Sequence, residues 1–197
     1  LKSALAANEV DRTVVSSDHA QILDYARGHG DGISLRRPEN LARDDTPTAP
    51  VVLHALNSIE RAESSQYDIA IVVQATMPFV TTDDIDATIR LLKSTGSDSC
   101  VTVVNVGHLH PQKLKRLEGN RLVPFLQEEI TYQRQNLPPV YIRNSSCYAV
   151  KSEVLRAGSL YGEDTSRPPT VADYQRAVDA MRILPPPPPA EVQIGRA

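Results

Sequence analysis

Residues 69–73, Ile-Ala-Ile-Val-Val, form an unbroken apolar run rich in β-branched side chains, and the run stops abruptly at Gln74-Ala75-Thr76-Met77-Pro78. A strand that is apolar on both faces needs helices on both sides, as strands of buried α/β sheets do. Polar residues at its carboxyl end stand where open α/β sheets bind ligands. The sequence therefore predicts a central strand over 69–73 and a site that opens at Gln74.

The segments around it alternate. Leu1 to Asn8 reads as a helix already under way, and Arg12 to Ser16 as a short strand. Asp18 stands as the N-cap of a helix from about His19 to Gly28. Gly32 to Leu35 leads into a second strand. A helix is expected from about Ala49 to Ala62, with Val51, Val52, Ala55, Leu56 and Ile59 on one face and His54 at the core edge. Thr81-Thr82-Asp83-Asp84 starts another helix, which ends near Thr95-Gly96, and Ser99 to Val106 is the next strand. This order gives an α/β fold, doubly wound, with a mostly parallel sheet and helices on both faces.

After residue 106 the pattern changes. Lys113, Lys115 and Arg116 follow Pro111, and Glu118 to Arg121 is hairpin-like. Residues 130–139 are polar and closed by prolines. Val140 to Ile142 and Ser146 to Val150 read as strand pieces around Arg143-Asn144-Ser145. A short helix covers 152–157, and a last one is expected to start near Val171 and to contain 175–181. A polyproline run over Leu184 to Pro189 closes one domain at about residue 184 and leaves 185–197 as a Pro-rich tail.

Composition narrows the function. The 197 residues carry a formal net charge of -3, which gives no electrostatic pull toward nucleic acid or an anionic membrane. Aromatic residues make up 5% and Trp is absent, against a base-stacking module. No apolar run approaches the ~20 residues that span a bilayer. Cys100 and Cys147 lie in strand-like contexts and read as reduced, buried thiols, and no signal-peptide pattern stands at the start, so a cytoplasmic protein is expected. No Walker A, G-x-S-x-G or H-E-x-x-H motif occurs. His108 and His110 have no Cys or carboxylate at ligand spacing. Asp84-Ile85-Asp86 falls inside a helix, which speaks against the D-x-D metal motif of a nucleotide-sugar glycosyltransferase. Lys115 and Arg116 read as a solvated face. Arg134, between Gln133 and Gln135 in a Pro-closed loop, is placed to clamp a carboxylate or phosphate bidentately.

Five stretches, VVSSDHAQI, LRRPENLARDDTPT, VVQATMPFVTTDDI, HPQKLKRLEGNRLVPFL and RQNLPPVYIRNSSCYAVK, occur in an order and spacing that resembles the acylneuraminate cytidylyltransferases, the CMP-sugar-acid synthetases. The resemblance runs from about Leu1 to Gly162. It implies a Rossmann-like domain with an inserted dimerisation arm, about 107–143 here, and a homodimer. It also implies transfer of CMP from CTP to a 2-keto sugar acid with release of pyrophosphate, using Mg²⁺. By position, Arg37 and Thr48 match residues of the cytidine pocket. Gln74, Ala75 and Thr76 match a turn that contacts the nucleotide and the acceptor. Lys113, Arg134, Asn144 and Tyr148 match acceptor-side residues, Lys113 and Arg134 on the arm. No general base and no metal ligand is identified by this match.

The chain departs from the family pattern in several places. The strand and Gly-rich basic loop that cradle the triphosphate are not found before Leu1, and the metal-holding D-I-D-T segment is not found between Thr170-Val171 and Ala172-Asp173-Tyr174. We expect the sequence to be part of a longer, active protein. Ile142 stands where sialate-using members often carry Arg, and Ser145-Ser146-Cys147 replaces Gly-Ala-Ile. The acceptor is therefore expected among acids of the sialic, legionaminic and pseudaminic type, with a phosphonate or a Kdo-like acid as the alternative. An inactive nucleotide-binding or dimerisation domain of the same fold is the reading from another class.

Overall fold

A computed structural model describes residues 1–126, 133 and 136–167. In chain order the elements are α1 (Lys2–Leu5), β1 (Val14–Ser17), α2 (Ala20–Arg27), β2 (Ile33–Arg36), α3 (Thr48–Glu63), β3 (Ile69–Val73), α4 (Thr82–Thr95), β4 (Ser99–Asn105), β5 (Lys115–Glu118), β6 (Arg121–Pro124), β7 (Tyr141–Lys151), α5 (Ser152–Arg156) and β8 (Thr165–Ser166). The helix and tail expected beyond residue 167 lie outside the described residues.

The sheet is built as the apolar pattern requires, with one rearrangement. β3, β7, β4 and β8 form a four-stranded sheet in that order, and β1 and β2 form a separate parallel pair. β7 runs antiparallel to both β3 and β4, while β4 and β8 are parallel. Among the described residues β3 is therefore an edge strand, and the middle place expected for it is taken by β7. Alternation still sends its side chains to two cores. Ile69, Ile71 and Val73 pack with Ile85, Ile89 and Leu92 of α4 and with Ala4 and Ala7 of the N-terminal segment. Ala70 and Val72 pack on the other face, with Leu56 of α3 and Leu155 of α5. Helices thus cover both faces, and each fully buried side chain such as Ile85, Leu92 or Leu155 contributes about 1.5–3 kcal/mol of burial.

Local chemistry sets the helix starts. Thr81 accepts from the Asp84 amide and the Asp84 carboxylate accepts from the Thr81 amide, a complete capping box for α4. α2 differs from expectation: its N-cap is His19, and Asp18 makes no capping bond. β1 extends to Ser17, whose hydroxyl accepts the His19 amide at 3.1 Å, so the helix starts one residue later than an Asp18 cap requires. Asp86 of α4 ties down the N-terminal segment. It is buried and accepts the amides of Glu9 (3.0 Å) and Asn8 (3.2 Å). Burial would raise its pKa, yet these amides and Arg90 bring it below the usual range.

β7 is one continuous strand where the sequence suggests two pieces, because a bulge joins them. Val101 pairs with Tyr148 and Val103 with Arg143, so Thr102 alone faces the four residues Asn144 to Cys147. The Thr102 hydroxyl donates to Asn144 Oδ1 at 2.6 Å and accepts the Cys147 amide at 3.1 Å, and the Ser146 amide donates to the same Oδ1 at 3.2 Å. Thr102→Val keeps the shape and removes these partners, leaving the Cys147 amide buried and unpaired. The expected cost is about 1–3 kcal/mol, read as a lower urea midpoint at unchanged slope. An unchanged midpoint would show that the bulge does not depend on this hydroxyl.

Cys100 and Cys147 are both buried and unbonded, as the sequence predicts. Burial pushes the Cys147 thiol up to about 11, against the lowering effect of the Thr88 hydroxyl, and raises Cys100 as well. Thiolate is the reactive form. A disulfide reagent at mildly alkaline pH should therefore leave folded protein unlabelled and titrate both thiols after urea is added. Rapid labelling of the folded chain would contradict this.

Candidate functional site

The site forms where β3 stops. Val72 pairs with Tyr148 across the sheet, so Gln74, two residues on, shares that face as a diagonal neighbour. Its amide nitrogen donates to the Tyr148 hydroxyl at 2.7 Å, and its amide oxygen faces the Thr76 hydroxyl at 3.4 Å. The Met77 amide bonds back to the Gln74 carbonyl at 3.1 Å, closing a turn that leaves Ala75 and Thr76 exposed. Thr48, the first residue of α3, stands close enough to the Tyr148 phenol to lower its pKa. Burial raises the Tyr148 pKa more than Gln74 and Thr48 lower it, so the phenol keeps its proton. Gln74 fills an acceptor position on that oxygen, and the proton remains available for donation to another oxygen.

A second ring extends the cluster. Tyr161 lies 6.1 Å from Tyr148, and the Arg143 guanidinium sits over Tyr161 with Cζ 4.2 Å from the ring centroid. Tyr161 is fixed through its backbone. Its carbonyl accepts from Ser99 Oγ at 2.6 Å, and Gly162 follows in the left-handed region at φ +66°, where a Cβ would collide with the Asp98 side chain. The Asp98 carboxylate accepts the amides of Glu163 (2.9 Å) and Asp164 (3.2 Å), which lower its pKa.

The expected site residues divide into three groups. Thr48, Gln74 and Tyr148 meet, with Ala75 and Thr76 on the turn beside them. Asn144 lies in the bulge between Arg143 and Tyr148, buried, with its Oδ1 turned to Thr102 and its amide nitrogen without a partner among the described residues. Arg37 and Lys113 stand apart. The Arg37 guanidinium donates to the Ser16 carbonyl at 2.6 Å, which fixes it to the β1–β2 pair. Lys113 is exposed at the end of a 3₁₀ turn, Pro111–Lys113, before β5. Arg134 lies outside the described residues. The sequence singles out neither Tyr161 nor Thr102, and it places Arg143 only between two strand pieces. A polar Thr inside the apolar run SCVTVVN was the available signal for Thr102. Nothing local marks Tyr161.

His110 is taken up by backbone contacts. His110 Nδ1 accepts the Gln112 amide at 3.3 Å, so its Nε2 carries the proton donated to the Pro138 carbonyl at 3.1 Å. It braces the start of the hairpin. Among the described residues no three His, Cys, Asp or Glu side chains assemble a metal site. Mg²⁺ is commonly held by one or two carboxylates together with substrate phosphates, a set that needs no such three-residue cluster. Thr170 to Tyr174, where its holding segment is expected, lie outside the described residues.

Comparison with known proteins adds the family. The chain is 29% identical over 167 residues to the CMP-N,N'-diacetyllegionaminic acid synthase of Legionella pneumophila subsp. pneumophila, covering 83% of this chain and 70% of that protein. It is 26% identical over 153 residues to the post-translational flagellin modification protein B of Campylobacter coli, covering 77% and 65%. Its fold is similar to that of a CMP:2-keto-3-deoxy-manno-octonic acid synthetase complexed with CTP, at TM-score 0.57 and 15% identity over 92% of this chain and 83% of that one. The model of the family described as Cytidylyltransferase matches residues 1–183, and the chain belongs to that family.

Proposed function

We propose that the chain transfers CMP from CTP to an anionic acceptor, a 2-keto sugar acid of the sialic, legionaminic or pseudaminic type, and releases pyrophosphate. The observation that carries this reading is the Gln74–Tyr148 pair at the carboxyl end of β3, in a chain of the cytidylyltransferase family. The pair offers an amide and a protonated phenol to oxygen-rich ligands. In this proposal Arg37 and Thr48 line the nucleotide side, Gln74, Ala75 and Thr76 form the turn between nucleotide and acceptor, and Lys113, Arg134, Asn144 and Tyr148 serve the acceptor. The acceptor hydroxyl attacks the α-phosphorus in line, and the residues named here bind and orient. A divalent cation, Mg²⁺ in this reading, would neutralise phosphate charge.

The domain is taken as 1–184, with an arm at about 107–143 and a tail over 185–197. The arm's hairpin supports a homodimer. Leu117 and Leu122 pair across β5 and β6 and are each 71% exposed. An isolated two-stranded hairpin is marginal in water, and a second copy would cover this apolar pair. Sedimentation equilibrium is expected to give twice the chain mass, and Leu117→Glu with Leu122→Glu to give one chain mass. A single-chain mass for the unaltered protein at micromolar concentration would exclude the dimer. No helix among the described residues is long and apolar enough to cross a membrane, and we place the enzyme in the cytoplasm.

The decisive measurement is pyrophosphate release from CTP with a panel of 2-keto sugar acids, N,N'-diacetyllegionaminate, sialate and 3-deoxy-manno-octonate among them. Release is expected with one acid, abolished by EDTA and restored by Mg²⁺. Gln74→Ala should cut kcat/KM about tenfold or more through loss of the bond to Tyr148, with the fold intact by circular dichroism. No release with any acid would favour the nucleotide-binding domain that kept the fold without the activity.

A further inference from the structure

Arg143 is exposed, yet among the described residues it makes no ion pair and no hydrogen bond. Other arginines of the fold are satisfied. Arg12 pairs with Glu63, Arg156 with Glu60, and Arg37 bonds to Ser16. Arg143 instead lies over a ring that is itself anchored by Ser99, Gly162 and the Asp98 carboxylate. A guanidinium held by its face is restrained in orientation, while its N–H donors point outward in its own plane. That is a preorganised fork for a planar, two-oxygen anion. It stands beside the Tyr148 ring, on the Tyr148–Gln74 face of the sheet, where Val103 pairs with Arg143 and Val101 with Tyr148.

Resting on the acceptor proposed above, we infer that Arg143 binds the carboxylate of the acceptor acid and that Tyr161 is its positioning residue. The other cations expected on the acceptor side, Lys113 and Arg134, belong to the arm, so Arg143 is the guanidinium that the sheet itself brings to this cluster. Its position, one residue after Ile142, depends on the bulge. The shift of register places Arg143 on the Tyr148 face, opposite Val103. Specificity for an acid over a neutral sugar would then come from a stacked arginine on β7.

The test uses the full chain, CTP and the 2-keto sugar acid that supports release, alongside the same sugar with its carboxylate converted to the carboxamide. Arg143→Gln is expected to raise KM for the acid about ten- to a hundredfold, leave KM for CTP near the unaltered value, and erase the preference for acid over amide. Tyr161→Leu should raise the acid's KM by a smaller factor, and Tyr161→Phe, which keeps the ring, should restore most of that loss. An unchanged acid KM in Arg143→Gln, or a rise in the CTP KM alone, overturns the inference while leaving the parent reaction standing. Silence of the unaltered protein with every acid overturns the parent reading, and this inference with it.

Discussion

The bulge opposite Thr102 determines which side chains reach the site. Antiparallel strands alternate side chains with a period of two, so the face a residue occupies follows from its register. Beyond Tyr148 a regular pairing would set Ser146 opposite Val103. The observed pairing sets Arg143 there, three residues farther along β7. A shift by an odd number exchanges the two faces, and so Arg143 joins Tyr148 on one side while Asn144 turns to Thr102. The unpaired backbone this creates is buried and has to be satisfied. One hydroxyl, that of Thr102, meets the Cys147 amide and the Asn144 side chain together. The candidate cluster is thus tied to a hydrogen bond on the opposite face of the sheet.

What was legible in the sequence was local. The stop at Gln74, the capping residues Thr81 and Asp84, the α3 apolar face and the burial of both cysteines all follow from short-range pattern, and the structure has them. The place of β7 was not legible. Arg143-Asn144-Ser145 reads as a break between two strand pieces because its residues are polar, and only a partner far away in the chain, Thr102, satisfies that polarity inside a sheet. Asp18 failed for a smaller reason: β1 runs on to Ser17, whose hydroxyl holds the His19 amide, and the helix starts one residue later. Tyr161 was invisible because its position is set by Asp98, on another element, through the amides of Glu163 and Asp164.

The candidate site also separates what a resemblance transfers from what geometry shows. Arg37 and Lys113 match positions in the family, but Arg37 spends its guanidinium on the Ser16 carbonyl and Lys113 sits at the base of the hairpin. Thr48, Gln74 and Tyr148 match positions, and Tyr148 has Gln74 bonded to its hydroxyl and Thr48 close enough to lower its pKa. Contact is the stronger warrant, because it requires α3, β3 and β7 to be arranged together. Lys113 is exposed on the same stretch as the exposed Leu117–Leu122 pair, with no contact to that cluster among the described residues.

The state of Tyr148 limits the chemistry available to it. Burial is the first cause of its raised pKa, and Gln74 and Thr48 only partly oppose it. A phenol with a raised pKa is a poorer source of phenolate, which suits Tyr148 to donating a proton rather than to accepting one. As a neutral hydroxyl with one acceptor position filled by Gln74, it donates, and its orientation follows the Gln74 amide. A donor held this way favours ligand oxygens that carry or develop negative charge. That preference matches the charge of Arg143 next to it, and the two together would discriminate against uncharged sugars before any bond is made.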